Sequence, residues 1–281
     1  MINHFVYRKI VDRTVRGACV AATVIALIPL GMVLYYVFVR GVGGIDADFF
    51  TELPKPVGET GGGMANAIVG TLKLVGLACL MGIPPGVLAG VYLAEFGGSR
   101  FSKAVRFSAD VMSGVPSITV GLFIYALVVM TTKQFSAIAG GLALAVLMLP
   151  TVTRTTEELL KLVPESLREA ALGLGVPKWR ATLRVMLRTA APGIAVGVML
   201  AVARVAGETA PLLFTAFNNS FWAGSLNEPT ASLPVNIYTY AVSPYPDWHD
   251  KAWASALVLL VVVLVLNISA RLLVRTRVRV R

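Results

Sequence analysis

Six apolar runs of roughly bilayer-crossing length set the frame of this 281-residue chain, at about residues 17–39, 67–96, 108–130, 135–152, 193–214 and 252–273. A hydrocarbon core about 30 Å thick needs about 20 apolar residues wound as a helix. The fourth run is the shortest. Composition agrees: 56% of residues are hydrophobic and 14% are charged, with mean hydropathy +0.75, whereas a soluble domain carries about 25% charged residues. Much of the chain is therefore built to avoid water. The first run follows Arg8, Lys9, Arg13 and Arg16 like the basic start of a signal peptide. It is longer than a signal core and no small-residue cleavage site closes it, so it reads as a retained first helix.

The net charge of +10 resembles that of a nucleic-acid binder, but position argues otherwise. Basic residues sit in short segments between apolar runs, and every second connection is basic. The first carries Asp46, Asp48, Glu52 and Glu59 against Lys55, and the second carries Arg100, Lys103 and Arg106. Only Lys133 lies in the third. The fourth holds Arg154, Lys161, Arg168, Lys178, Arg180, Arg184 and Arg188 against Glu157, Glu158, Glu165 and Glu169. Glu228, Asp247 and Asp250 mark the fifth, and the tail ends in Arg271, Arg275, Arg277, Arg279 and Arg281. The positive-inside rule places the basic segments in the cytoplasm. Six helices with both termini cytoplasmic satisfy all of them. Cys19 and Cys79 lie within apolar runs, so neither a disulfide framework nor a metal cluster is implied.

Within the spans, Ile83-Pro84-Pro85-Gly86 interrupts the second and Gly114-Val115-Pro116-Ser117 the third. Proline removes a backbone donor and kinks a helix. Such sites serve either close helix packing through small residues or a hinge beside a gated pathway. The second half of the chain does not repeat the first, unlike an inverted-repeat transporter.

The long basic connection, residues 153–192, is the segment most specific to function. Pro164 suits the first turn of a helix. Glu165 and Glu169 follow near its positive end, and Leu167, Ala170, Ala171 and Leu174 fall on one stripe. Gly173 and Gly175 weaken that helix and allow a tight exit. The segment from Lys178 to Arg184 is basic and amphipathic, suited to a membrane surface. The expectation is a helix–turn–helix whose small apolar knob, ringed by charge, fits a groove on another subunit.

The string Glu169-Ala170-Ala171-Leu172-Gly173-Leu174-Gly175, continuing to Val185-Met186-Leu187, has the spacing of the coupling loop of ABC importer permeases. From about residue 67 to 240 the chain resembles the PstA family, permease subunits of bacterial phosphate-specific ABC transporters. The likeness rests on Ser113-Gly114-Val115-Pro116-Ser117-Ile118, on Leu149-Pro150-Thr151-Val152-Thr153-Arg154-Thr155-Thr156-Glu157, and on Ala191-Pro192-Gly193-Ile194. Arg204-Val205-Ala206-Gly207-Glu208-Thr209-Ala210-Pro211 and Leu233-Pro234-Val235-Asn236-Ile237-Tyr238-Thr239-Tyr240 complete it and point to PstA rather than PstC. One departure is Arg188 after Leu187, where the family motif ends in Leu-Pro.

The resemblance implies an all-α, polytopic inner-membrane protein of the type I importer permease kind, in a single domain of six helices with a cytoplasmic coupling helix. It implies a PstC-like permease partner, a PstB-like ATPase dimer and a PstS-like phosphate-binding protein. Coupling to the ATPase falls to Glu169, Ala170, Ala171 and Gly175. No lysine here follows a glycine, so the chain has no phosphate-binding loop for ATP. ATP and Mg are then expected on the partner ATPase, with no cofactor or metal in this chain.

Arg204 lies about 16 Å beyond Gly193 at 1.5 Å per residue, near mid-membrane, where an ionisable group is a functional candidate. Glu208, four residues on, is expected within ion-pair reach. The guanidinium fork matches a phosphate's oxygens, and the carboxylate could accept from a protonated phosphate oxygen. The pair could instead fasten this helix to the partner permease. Lys73 is a third pathway candidate, although its place near the outer start of the second helix also suits snorkelling. A permease for sulfate or molybdate, an ATP-independent transporter, and a membrane enzyme are the competing classes. The last needs converging acid–base or metal groups, yet His4 and His249 are expected on opposite sides of the membrane.

Overall fold

The computed structural model describes the backbone of residues 4–59 and 61–279, and side chains from residue 7 except at 60, 270, 271 and 273–281. His4 and the tail arginines Arg271, Arg275, Arg277, Arg279 and Arg281 therefore lie outside the described side chains. Every regular element among the described residues is helical. In chain order these are α1 (His4–Gly43), α2 (Ala47–Thr51), α3 (Ala65–Glu95), α4 (Arg100–Gly114), α5 (Ser117–Thr132) and α6 (Ala137–Lys161). There follow α7 (Glu165–Gly173), α8 (Lys178–Ala206), α9 (Ala210–Thr215), α10 (Leu233–Ala241) and α11 (Pro246–Arg279). Among the described residues five helices are long and apolar enough to cross a membrane, or six if the bent pair of α4 and α5 counts as one span.

The core is the α3–α6 pair. Gly82, Gly86 and Gly90 recur every four residues along one face of α3 and meet Ala145, Val152 and Thr156 of α6. A Cβ at Gly86 would lie 2.9 Å from Val152 Cβ, so the backbones approach as only small residues permit. Around this seam Leu74, Ala78, Leu144, Met148, Ala201 and Val205 are buried together. Local signals define the ends. Ser136 caps α6 by accepting from Ala139 N at 3.1 Å, and Ser99 caps α4 by accepting from Ser102 N at 3.0 Å.

At the periphery, α1 packs on α11, with Gly41 against Trp253 and Leu257. The most apolar window of α1 is wholly unburied within the chain. A helix this apolar and this unpacked is surrounded by lipid or by another membrane subunit.

Two sequence expectations need correction. Pro84 and Pro85 do not interrupt the second span, because α3 runs unbroken from Ala65 to Glu95; its tight seating on α6 holds the helix where proline removes its own bonds. The third span, by contrast, breaks where Gly114-Val115-Pro116-Ser117 is expected to interrupt it: α4 and α5 meet at 107°. The fifth does not reach residue 214, because α8 stops at Ala206. At its other end α8 begins at Lys178, so the amphipathic segment and the fifth span form one helix eased by a π-helical turn at Thr182–Met186. Arg188, the departure from the family motif, lies inside it without a break.

Candidate translocation site and coupling surface

Two helix breaks meet to form a cavity that contains two of the charged groups predicted for the pathway. In the first, Pro116 excludes the helical conformation from Val115, which is extended at φ −73° and ψ 130°. In the second, Gly207 ends α8, donating to Arg204 O at 3.2 Å, and Pro211 helps start α9. The broken ends are clamped together where Gly121 of α5 packs on Pro211; a Cβ on that glycine would lie 2.6 Å from Pro211 Cα.

Between them lies a cavity of about 150 Å³. Ser113, Ser117, Thr151, Arg204 and Glu208 line it, over Leu147 and Pro150. Arg204 occupies the last turn of α8, where the helix dipole favours a cation. It is exposed on the surface of this chain, and Glu208 is partly buried. Arg204 and Glu208 both line the cavity, but they do not form the expected helical ion pair. Glu208 lies in the break, so the four-residue spacing of a helix does not apply. Among the described residues neither side chain forms an ion pair or hydrogen bond. Lys73 is elsewhere: its Nζ donates to Ala223 O at 2.8 Å, tying α3 to the loop between α9 and α10. Along the chain Ser113, Ser117 and Thr151 stand out only as parts of motifs; Ser117 and Thr151 each follow a proline, which is the available signal.

At the other end, α7 carries the coupling motif. It ends in a Schellman turn: Val176 N donates to Ala171 O at 3.1 Å and Gly175 N to Leu172 O at 2.9 Å. Gly175 takes φ +76°, which glycine adopts freely. Ala171 is buried, whereas Glu169 and Ala170 are exposed. The expected single stripe is therefore divided. Ala171 seats the helix, while Leu167, Leu172, Trp179 and above all Leu174, 84% exposed, project outward.

Charged pairs fix this end. Arg168 of α7 grips Glu95 with both guanidinium nitrogens, at 2.9 and 2.6 Å. Lys178 lies 3.8 Å from the same carboxylate and 4.8 Å from the Phe96 ring centre. Nearby, Glu157 is 1% exposed yet receives Arg106 and Lys161 at 2.5 Å and Arg154 at 3.2 Å. Arg154 also reaches Asp110 at 2.9 Å. This cluster bolts α4 to α6. Along the sequence Arg106, Arg154 and Lys161 read as topology charges, because nothing local pairs Arg106 with a residue 51 positions away.

The described residues thus combine spanning helices, a broken-helix cavity and an exposed apolar knob on a charged loop. Solved structures share this fold. A subunit of a bacterial alginate ABC transporter, crystallised with an alginate-bound periplasmic protein, superposes with TM-score 0.65 at 17% identity, over 94% of this chain and 95% of its own. A MetNI methionine ABC transporter chain in an inward-facing form gives TM-score 0.59 at 18% identity, over 75% and 92%.

The family model for binding-protein-dependent transport system inner membrane components matches residues 86–279. Phosphate transport system permease proteins PstA are similar along most of their length. The Yersinia pestis protein is 45% identical over 95% of this chain and 91% of its own. That of Xylella fastidiosa strain Temecula1 is 48% identical over 85% and 84%, and PstA 1 of Mycobacterium tuberculosis strain CDC 1551 is 41% identical over 89% and 84%. The chain belongs to the binding-protein-dependent transport permeases and, within them, to the PstA family. It is a multi-pass inner-membrane pore subunit of an ABC importer, a class that works with an ATPase and a binding protein.

Proposed function

We propose that this subunit passes inorganic phosphate into the cytoplasm, and that the phosphate moves past Arg204 and Glu208. The observation that carries the pathway is the cavity itself: two charged side chains without partners, at a junction of broken helices, beside three hydroxyls. Discontinuous helices free backbone groups and hold ligands at membrane depth. An arginine offers paired donors to phosphate oxygens, while a carboxylate accepts from a protonated one. Charges left unsatisfied in one chain are suited to a transient anion and to the facing permease. Relatives named for phosphate transport favour phosphate over sulfate or molybdate.

The wider assembly follows from the same reading. A PstC-like permease completes the pathway, a PstB-like ATPase dimer holds ATP and Mg, and a PstS-like protein delivers phosphate from outside. Both termini and α7 face the cytoplasm, where Glu169, Ala170 and the Leu174 knob meet the ATPase and Gly175 sets their turn. Lys73 steadies the outer mouth through Ala223. The test is co-purification of the four components followed by ATP-dependent uptake of labelled phosphate and sulfate in proteoliposomes. Phosphate uptake alone is expected. Equal sulfate uptake, or uptake by this subunit without ATP, would overturn the reading.

A further inference from the structure

We propose that Glu95 is the positioning residue that joins the coupling helix to the translocation core. This rests on the coupling role assigned above to α7. The backbone of α7 packs mainly on the start of α8, and its chain connection to α6 is the short segment Leu162, Val163 and Pro164. Its link to α3 is the carboxylate of Glu95, the last residue of that helix. The Glu95 side chain is 4% exposed. Both its oxygens are held by Arg168 on α7, and Lys178 at the head of α8 approaches the same group. One carboxylate therefore grips both arms of the loop, on either side of the left-handed turn at Gly175. A two-point guanidinium–carboxylate contact resists rotation as well as separation.

From Glu95 the connection is rigid. α3 is locked to α6 along Gly82, Gly86 and Gly90, and α6 supplies Leu147, Pro150 and Thr151 to the cavity wall. Close-packed small-residue seams move as a body because no side chains are available to yield. Displacement of the knob thus reaches the cavity through Glu95 and α3, bypassing the connecting segment Leu162–Pro164. α7 and α3 travel together through the transport cycle.

The experiment uses the assembled transporter in proteoliposomes, with ATP hydrolysis and phosphate uptake measured on the same sample. In Glu95→Gln, hydrolysis should continue while phosphate moved per ATP falls about tenfold, the size of a typical coupling term. A purely structural role would lower both together, through lost assembly. Next, Glu95→Cys/Arg168→Cys in a background lacking Cys19 and Cys79 is joined by a flexible bifunctional thiol reagent in the membrane. Before bridging, uptake per ATP should match the Gln variant, and bridging should restore it. Failure of the bridge to restore uptake, or an unchanged ratio in Glu95→Gln, would overturn the proposal. Should Glu95→Gln fail to assemble, the bridged pair decides alone. Leu174→Asp separates the two readings. If it captures the ATPase and transports normally, the coupling role of α7 is wrong; if it is defective while Glu95→Gln is normal, only the Glu95 link is wrong.

Discussion

The two charged regions of this protein are organised in opposite ways. At the coupling end, Glu95 and Glu157 are almost fully buried and saturated, the first by Arg168 and Lys178, the second by Arg106, Arg154 and Lys161. In the cavity, Arg204 and Glu208 share a wall and pair with nothing among the described residues. Burying an ion is costly unless it is paired, so saturated charges serve as bolts. Unsaturated ones are tolerable only where water, a partner or a passing ion completes them. The same residue types are thus paired into bolts at one end and left unpaired, among the described residues, at the other.

The sharpest way to break this contrast is Arg204→Gln. Losing a charge-assisted contact of about 3 kcal/mol should lower phosphate uptake about a hundredfold, while the complex purifies intact. Adding Glu208→Gln should recover nothing. Restored uptake in that double variant would make the pair another bolt, since removing both charges of a structural pair is milder than removing one.

Glu157→Leu should have the next largest effect, and on stability instead. Three cations lose their shared partner, a loss of about 2 kcal/mol. That is below the range for fully buried pairs because Lys161 is half-exposed and screened. Thermal unfolding of the purified complex would show it as a lower midpoint, with phosphate-over-sulfate preference unchanged. An altered preference would bring Glu157 into the pathway.

Gly175→Val should be smaller still. A built Cβ there meets nothing within 4 Å, so the penalty is the left-handed backbone alone, about 1–2 kcal/mol. ATPase capture should fall several-fold while membrane insertion is normal. Wild-type affinity for the ATPase in that variant would remove the turn from the coupling surface. Smallest is Lys73→Gln, which gives up one hydrogen bond to Ala223 O, about 1 kcal/mol. Uptake within about twofold of wild type is expected, and a loss approaching that of Arg204→Gln would return Lys73 to the pathway.

Much of this was legible along the chain. Apolar runs announce spans because a bilayer admits little else, and the coupling helix is local: Pro164 starts it, Gly175 ends it, and both act within a few residues. Pro116 likewise marked a real break. Pro84 and Pro85 did not, although they are the same residue type. The difference is the neighbour, since α3 at those prolines is seated on α6 along a row of glycines, while the α4–α5 junction opens onto a cavity.

The sequence by itself determined that the chain crosses a membrane about six times, that one long basic loop carries the spacing of a coupling motif, and that Arg204 and Glu208 are out of place in a bilayer. Those conclusions rest on hydropathy, helix ends and the price of a buried charge, which are properties of short segments. Only the tertiary structure decided that Glu208 lies beyond the end of α8, that Ser113, Ser117 and Thr151 join the same cavity, and that Arg106 and Arg168 are bolts. Each depends on contacts between residues far apart in sequence, such as Glu95 with Arg168 at a separation of 73. Local periodicity carries no record of such contacts.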